Sequence, residues 1–230
     1  MKFPTILVSF VFYAFSNICL ASCHEPIVLV HGNTATPSSW VNTKTILLEA
    51  GYTTDDIFTP DWGSKTCAAC NNHNGSEETP VRNAILDAIA SSCTGKIDII
   101  GHSMGATLAA QQILKLNISE KVDTFIGIAG AFKGLRTCGV YPFNVWSSTC
   151  GYYGLSLYSP FIYSIANQNL GNKVYSIKSW FDQVVCATGN CYVGFHHSSE
   201  IDMQTGTFSF NEGHFGLQTN TAQFQYDLIQ

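Results

Sequence analysis

Positive charge is scarce in this 230-residue chain: eleven Lys and Arg stand against sixteen Asp and Glu, giving a formal net charge of −5. So few cations cannot build the basic stripe that neutralises nucleic-acid phosphates, which argues against nucleic acid as a partner. Beyond the N-terminal segment, no apolar run approaches the length needed to cross a bilayer, so no transmembrane segment is expected. Internal repeats, low-complexity tracts and linkers are also lacking. What remains is 46% hydrophobic and reads as one domain long enough to bury a sizeable core.

The N-terminus has Lys2, then the apolar run Ile6 to Phe15, then small residues around Cys19-Leu20-Ala21-Ser22. This is the layout of a secretory signal peptide, with cleavage after Ala21 and a mature chain over 22–230, and it predicts a secreted, extracellular protein. Of the nine cysteines, Cys19 falls in the leader, leaving Cys23, Cys67, Cys70, Cys93, Cys138, Cys150, Cys186 and Cys191. An even set in an exported chain argues for disulfides. Short loops suggest Cys186 with Cys191 and Cys138 with Cys150, although about a hundred pairings are open. Cys67-Ala68-Ala69-Cys70 with nearby His73 could also hold a metal, but export and the absence of a second matched pair favour an oxidised bridge, so no metal is expected. Asn74-Gly75-Ser76 and Asn117-Ile118-Ser119 make Asn74 and Asn117 glycosylation acceptors.

The chemistry centres on Ile97-Asp98-Ile99-Ile100-Gly101-His102-Ser103-Met104-Gly105, a mostly apolar strand that runs through G-x-S-x-G into the helical stretch Ala106 to Leu116. A serine on a sharp strand-to-helix turn needs neighbours without Cβ atoms, and Gly101 and Gly105 meet that need. Other runs also read as strands: Ile27 to Val30, Asp56 to Pro60, Val122 to Gly130, Lys173 to Ser179 and Thr207 to Phe210. They alternate with helices around Trp40 to Ala50 and Pro80 to Ser92. That alternation predicts an α/β fold with a mostly parallel sheet flanked by helices. Its functional crevice lies at the carboxyl ends of the strands, where His31, Ser103 and Asp182 fall.

A serine hydroxyl is a poor nucleophile until a base takes its proton and a third group orients that base. His214, in Gly213-His214-Phe215-Gly216, is the candidate base, because flanking glycines let a loop swing the imidazole over the sheet edge. Among its rivals, His102 is expected to pack beneath the turn and His31 to bond within its own loop. His196 and His197 are expected in a solvated loop. Asp182 follows a strand and is the candidate orienting acid; Asp202, without an apolar strand before it, is expected at the surface. Ser103, Asp182 and His214 are thus the expected catalytic set. The backbone amides of Met104 and Asn33 are the expected oxyanion donors.

These segments resemble the small α/β-hydrolase lipases of class 2, compact secreted bacterial lipases and their nematode relatives. The likeness is carried by Ile27 to Asn33, Ile99 to Gly105, Ser179 to Val185 and Gly213 to Leu217, in the family's order. It implies a minimal α/β-hydrolase domain over 22–230, hydrolysis of acylglycerol esters and no cofactor. The expected partners are a lipid or ester substrate and a lipid-water interface. A carboxylesterase or thioesterase acting on short or soluble esters would use the same residues. A binding protein that kept the fold and lost turnover is the reading from another class. Two departures stand out: Ala106 replaces a common glycine, and residues 131–172 form a long insertion rich in aromatics. Tyr141, Phe143, Trp146, Tyr152, Phe161 and their neighbours could line an acyl pocket or lid, or could pack the insertion onto the domain.

Overall fold

The computed structural model describes residues 23–230, so the expected leader lies outside the described residues. The chain opens with β1 (Ile27–Val30), α1 (Val41–Glu49) and β2 (Ile57–Phe58), then passes through the Cys67–Cys70 loop to α2 (Glu78–Ser91). Next come β3 (Ile97–His102), α3 (Met104–Leu116) and β4 (Val122–Ile128). The insertion follows, with β5 (Leu135–Val140), β6 (Ser156–Leu157) and α4 (Pro160–Ile165). The last part holds β7 (Lys173–Lys178), the small pair β8 (Tyr192–Val193) and β9 (His196–His197), then β10 (Gly206–Ser209), α5 (His214–Thr219) and α6 (Ala222–Ile229). No helix of the described residues is long and apolar enough to cross a membrane.

Six strands form one sheet in the order β2-β1-β3-β4-β7-β10, and every neighbouring pair is parallel. The run Ile27 to Val30 is continuously apolar because both faces of the sheet are covered, and Ile97 to Ile100 is apolar except for buried Asp98, which accepts from the Thr124 amide at 2.9 Å. Val28, Val30, Ile97 and Ile99 face one side with Ile85 of α2 and Leu108 and Ile113 of α3. Ile27, Leu29 and Ile100 face the other with Leu47 of α1, Leu217 of α5 and Ile229 of α6. The period-2 alternation of a strand thus serves two cores at once. Strand order reverses between β1 and β3, and at such a switch point the loops leave in opposite directions and open a crevice.

Several element ends differ from the sequence reading: β2 is only Ile57–Phe58, α3 already begins at Met104, and two further shifts have a clear local cause. Helix α2 starts at Glu78 rather than Pro80, since a proline in the first turn needs no donor and allows the helix to begin before it. Strand β4 stops at Ile128, where Ala129 takes φ 51° and turns the chain into the insertion.

Four disulfides tie this frame: Cys23–Cys93, Cys67–Cys70, Cys138–Cys150 and Cys186–Cys191. The first spans 70 residues and anchors the start of the described chain to the turn before β3. A cross-link of that span removes about 4 kcal/mol of chain entropy from the unfolded state. Replacing Cys23 and Cys93 together by serine is therefore expected to lower unfolding free energy by about 4 kcal/mol in chemical denaturation. A loss below about 1 kcal/mol would show that the bridge constrains little.

Candidate active site

The crevice at the switch point is built around an unusual backbone. Ser103 has φ 53° and ψ −131°, a conformation that costs an L residue of order 1–3 kcal/mol and persists only where its surroundings enforce it. They do so on every side. The Ser103 amide donates to the Ile128 carbonyl of β4 at 2.8 Å, and its own carbonyl accepts from the Ala106 amide at 3.1 Å. A Cβ on Gly101 would lie 2.4 Å from Ala106 Cα, and one on Gly105 would lie 2.1 Å from the His31 carbonyl oxygen. Both glycines of G-x-S-x-G are therefore required by close approach, and the turn lifts the half-buried Ser103 side chain to the end of the sheet.

Ser103 Oγ lies 2.9 Å from His214 Nε2, and His214 Nδ1 lies 2.8 and 2.9 Å from the two carboxylate oxygens of Asp182. Because the carboxylate can only accept, Nδ1 carries the proton and Nε2 is free to accept from the serine hydroxyl. Burial alone would raise the Asp182 pKa, but the His214 contact and the amides of Val184 and Val185, each donating at 2.8 Å, outweigh it and hold the group below its usual value. An ionised carboxylate at this position fixes the ring and offsets any charge that His214 gains. Two other groups fix the backbone of His214. Its amide donates to Gln183 Oε1 at 2.9 Å, and its carbonyl accepts from His102 Nε2 at 3.0 Å.

Met104 is the first residue of α3 and Asn33 lines the Ser103 pocket. Among the described residues neither backbone amide has an acceptor. The loop that carries Asn33 is held from several directions. His31 Nδ1 donates to the Gly32 carbonyl at 2.8 Å, and Trp62 Nε1 donates to the His31 carbonyl at 2.9 Å. Asn33 Nδ2 donates to the Ala68 carbonyl at 2.9 Å, while buried Asn71 donates to Asn33 Oδ1 at 2.6 Å. The whole pocket encloses about 240 Å³ and is bordered by Asn33, Ala68, Ser103, Val184, His214 and Phe215.

The competing residues separate clearly. His102 is buried, but it does not sit beneath the turn away from the site: its ring centroid is 4.8 Å from that of His214 and it borders the same pocket. His196 is exposed, as expected, but it lies in the short strand β9 rather than in a loop. His197 is fully buried instead, with its ring 4.8 Å from Trp180 and its Nε2 bonded to the Ser179 carbonyl at 3.1 Å. Asp202 is half-buried rather than simply solvated: it pairs with Lys133 and accepts from the Asn167 amide at 3.0 Å. His73 is turned away from the oxidised Cys67–Cys70 pair. It stacks on Phe161, and its ring nitrogens face the Tyr153 carbonyl and the Thr107 hydroxyl at 3.0 and 2.8 Å. Gln183, Asn71 and the orienting role of His102 had no signal in residue spacing. His102 next to the serine was visible only as a neighbour.

An all-parallel sheet with a strained serine at its switch point, and with Ser, Asp and His in that chain order, is the arrangement of an α/β-hydrolase. The profile of the family described as Lipase (class 2) matches residues 24–227, and the chain belongs to that family. It is accordingly a lipase or carboxylic ester hydrolase. Solved structures share the fold. The mature lipase BlEst2 of Bacillus licheniformis superposes with a TM-score of 0.66 at 15% identity, over 91% of this chain and 93% of that one. Lipase B of Aspergillus fumigatus gives 0.54 at 15% identity, over 82% of this chain and 44% of that one. The carboxylesterase CesB of Bacillus subtilis gives 0.54 at 11% identity, over 90% and 84%.

Burial pushes the imidazoles of His73 and His102 down to about 3, so both are neutral in the folded protein. The ordinary imidazole value is about 6.5. Between these limits the unfolded chain binds more protons, so stability is full above about pH 6.5 and falls as the pH drops toward about 3. The slope is up to about 1.4 kcal/mol per pH unit for each histidine. Urea midpoints measured from about pH 7 to about pH 4 should show this decline, less steeply in His73→Gln. A slope unchanged by that substitution would mean that His73 contributes nothing to acid sensitivity.

Proposed function

We propose that the protein hydrolyses acylglycerol carboxylic esters through an acyl-enzyme on Ser103, with His214 as general base and then general acid, and Asp182 as its orienting carboxylate. The reading rests above all on one observation: a serine held at φ 53°, with its Oγ 2.9 Å from an imidazole that is itself 2.8 Å from a buried carboxylate. A structural turn needs neither the strain nor the relay.

In this mechanism Ser103 Oγ attacks the ester carbonyl as His214 Nε2 takes its proton. The negative charge passes to the former carbonyl oxygen, where the amides of Met104 and Asn33 can donate, and a preorganised donor of this kind is worth roughly 3–4 kcal/mol. The tetrahedral species collapses, the C–O bond to the alcohol breaks, and His214 returns the proton to the leaving oxygen. Water then attacks the acyl-serine by the same route and frees the acid. Four disulfides support an exported setting, and the exposed Asn74 and Asn117 are available for glycosylation.

A second reading has one specific observation in its favour. The pocket of about 240 Å³ is small beside the roughly 300–1,000 Å³ usual for sites that enclose a drug-sized ligand, which suits short or soluble esters. A series of p-nitrophenyl esters of increasing acyl length separates the two readings, with a preference for long chains supporting the lipase. For the triad, Ser103→Ala should lower kcat by at least about 10⁴-fold and abolish labelling by a fluorophosphonate, and Asp182→Asn should cost about 10⁴-fold. Full turnover by Ser103→Ala would overturn the assignment.

A further inference from the structure

The end of the parallel sheet opposite Ser103 holds a group of carboxylates that ester chemistry does not use. Glu25 precedes β1, Asp98 lies near the start of β3, and Asp123 near the start of β4. One carboxylate oxygen from each lies within 4.8 Å of those of the other two. A bulge brings the third residue in. The register passes from Ile97 opposite Val122 to Ile99 opposite Phe125, so Asp123 and Thr124 together face Asp98, and an extra residue of this kind re-aims a side chain. Positions 25, 98 and 123 are too far apart in the chain to read as a ligand motif.

The group is short of positive charge. Asp98 is only 1% exposed, and while its Oδ1 accepts from the Thr124 amide, its Oδ2 accepts no hydrogen bond from any described residue. Burial, with Glu25 and Asp123 nearby, pushes the Asp98 carboxyl well above its usual pKa. The Thr124 hydroxyl is near enough to act against that rise, yet it is fully buried and has no hydrogen-bond partner among the described residues. At the half-buried rim, Lys173 is 3.4 Å from Asp123 Oδ2, Asn172 donates to Asp123 Oδ1 at 3.0 Å, and Thr94 donates to Glu25 Oε1 at 3.3 Å. None of these three bonds to Asp98. A buried carboxylate beside an orphaned hydroxyl, with two more carboxylates at its rim, is a costly arrangement unless a cation completes it.

Every available ligand atom is oxygen, which selects a hard ion over zinc or copper. Two oxygens on opposite sides of a calcium ion, each about 2.4 Å from it, are about 4.8 Å apart. Magnesium demands near-ideal octahedral geometry and gives up water reluctantly, whereas calcium accepts an irregular set from several elements and fills its shell with water at an open rim. We infer that Glu25, Asp98 and Asp123, with the Thr124 hydroxyl, form a calcium site that fastens the start of β1 to β3 and β4. It lies at the far end of the sheet from Ser103 and is independent of the hydrolytic reading.

The test uses purified protein freed of divalent ions with EDTA and then dialysed. Added CaCl2 should raise Tm saturably, with half the rise at about 0.1–1 mM, and MgCl2 should need at least about tenfold more for the same rise. Tb3+ luminescence excited through tyrosine reads binding directly, because Tyr52 is close enough for the charges of Asp98 and Glu25 to add to burial in raising its pKa. Calcium should displace that signal. Glu25→Gln and Asp123→Asn, which leave the Asp98 bond to Thr124 in place, should each weaken calcium binding by at least about tenfold. Asp87→Asn, exposed on α2, should leave it unchanged. A Tm unmoved by calcium, or Tb3+ emission that calcium does not displace, would overturn the site. So would rim variants that bind calcium as tightly as the parent.

Discussion

Helix α3 begins so close to the end of β1 that a Cβ on Gly105 would sit 2.1 Å from the carbonyl oxygen of His31. This contact between the elbow and the β1 loop governs the site. It sets Ser103 beside Gly32, where an added Cβ would lie 3.1 Å from the serine Cβ and 2.9 Å from His102 Nδ1. The same approach brings the Asn33 loop next to the first amides of α3. Anything that widened the gap would separate the serine from the Asn33 loop before disturbing either core, because the two cores lie on the sheet faces and the contact lies at the sheet end.

Around that contact, polar groups are used with few alternatives. His31, His102 and His197 are all kept neutral by burial, and each fixes a backbone carbonyl: Gly32, His214 and Ser179 respectively. A neutral imidazole suits this task because its protonated nitrogen donates without bringing a charge into the interior. Asp182 is the opposite case, a buried carboxylate that remains ionised because His214 and two amides surround it. The site therefore combines one retained charge with several rings that must stay uncharged.

Much of this was readable from the chain, and the unreadable part has a common cause. Uninterrupted apolar runs such as Ile27 to Val30 announced strands covered on both faces, and the glycines about Ser103 announced the elbow, because both are local requirements. Asp182 and His214 were findable because chain order in a parallel sheet delivers them to the same edge. Asn71 and Gln183 were not, since a carboxamide in a loop acquires its partners only from tertiary packing. His197 misled for the same reason: its polar neighbours suggested solvent, whereas Trp180 and the Ser179 carbonyl enclose it. The insertion's aromatics looked alike in sequence, and only the fold separates those beneath the insertion from those above it.

Ser103 and His214 are 111 residues apart, and His214 and Asp182 are 32 apart. None of the three can meet until β3, β4, β7 and β10 have assembled side by side, so their contact depends on pairings distant in sequence. Such pairings form late, because loop closure must be completed before they contribute. On the proposed role of Ser103, the appearance of a reactive serine during refolding would mark closure of the whole sheet, and its labelling would serve as a clock for the final folding step.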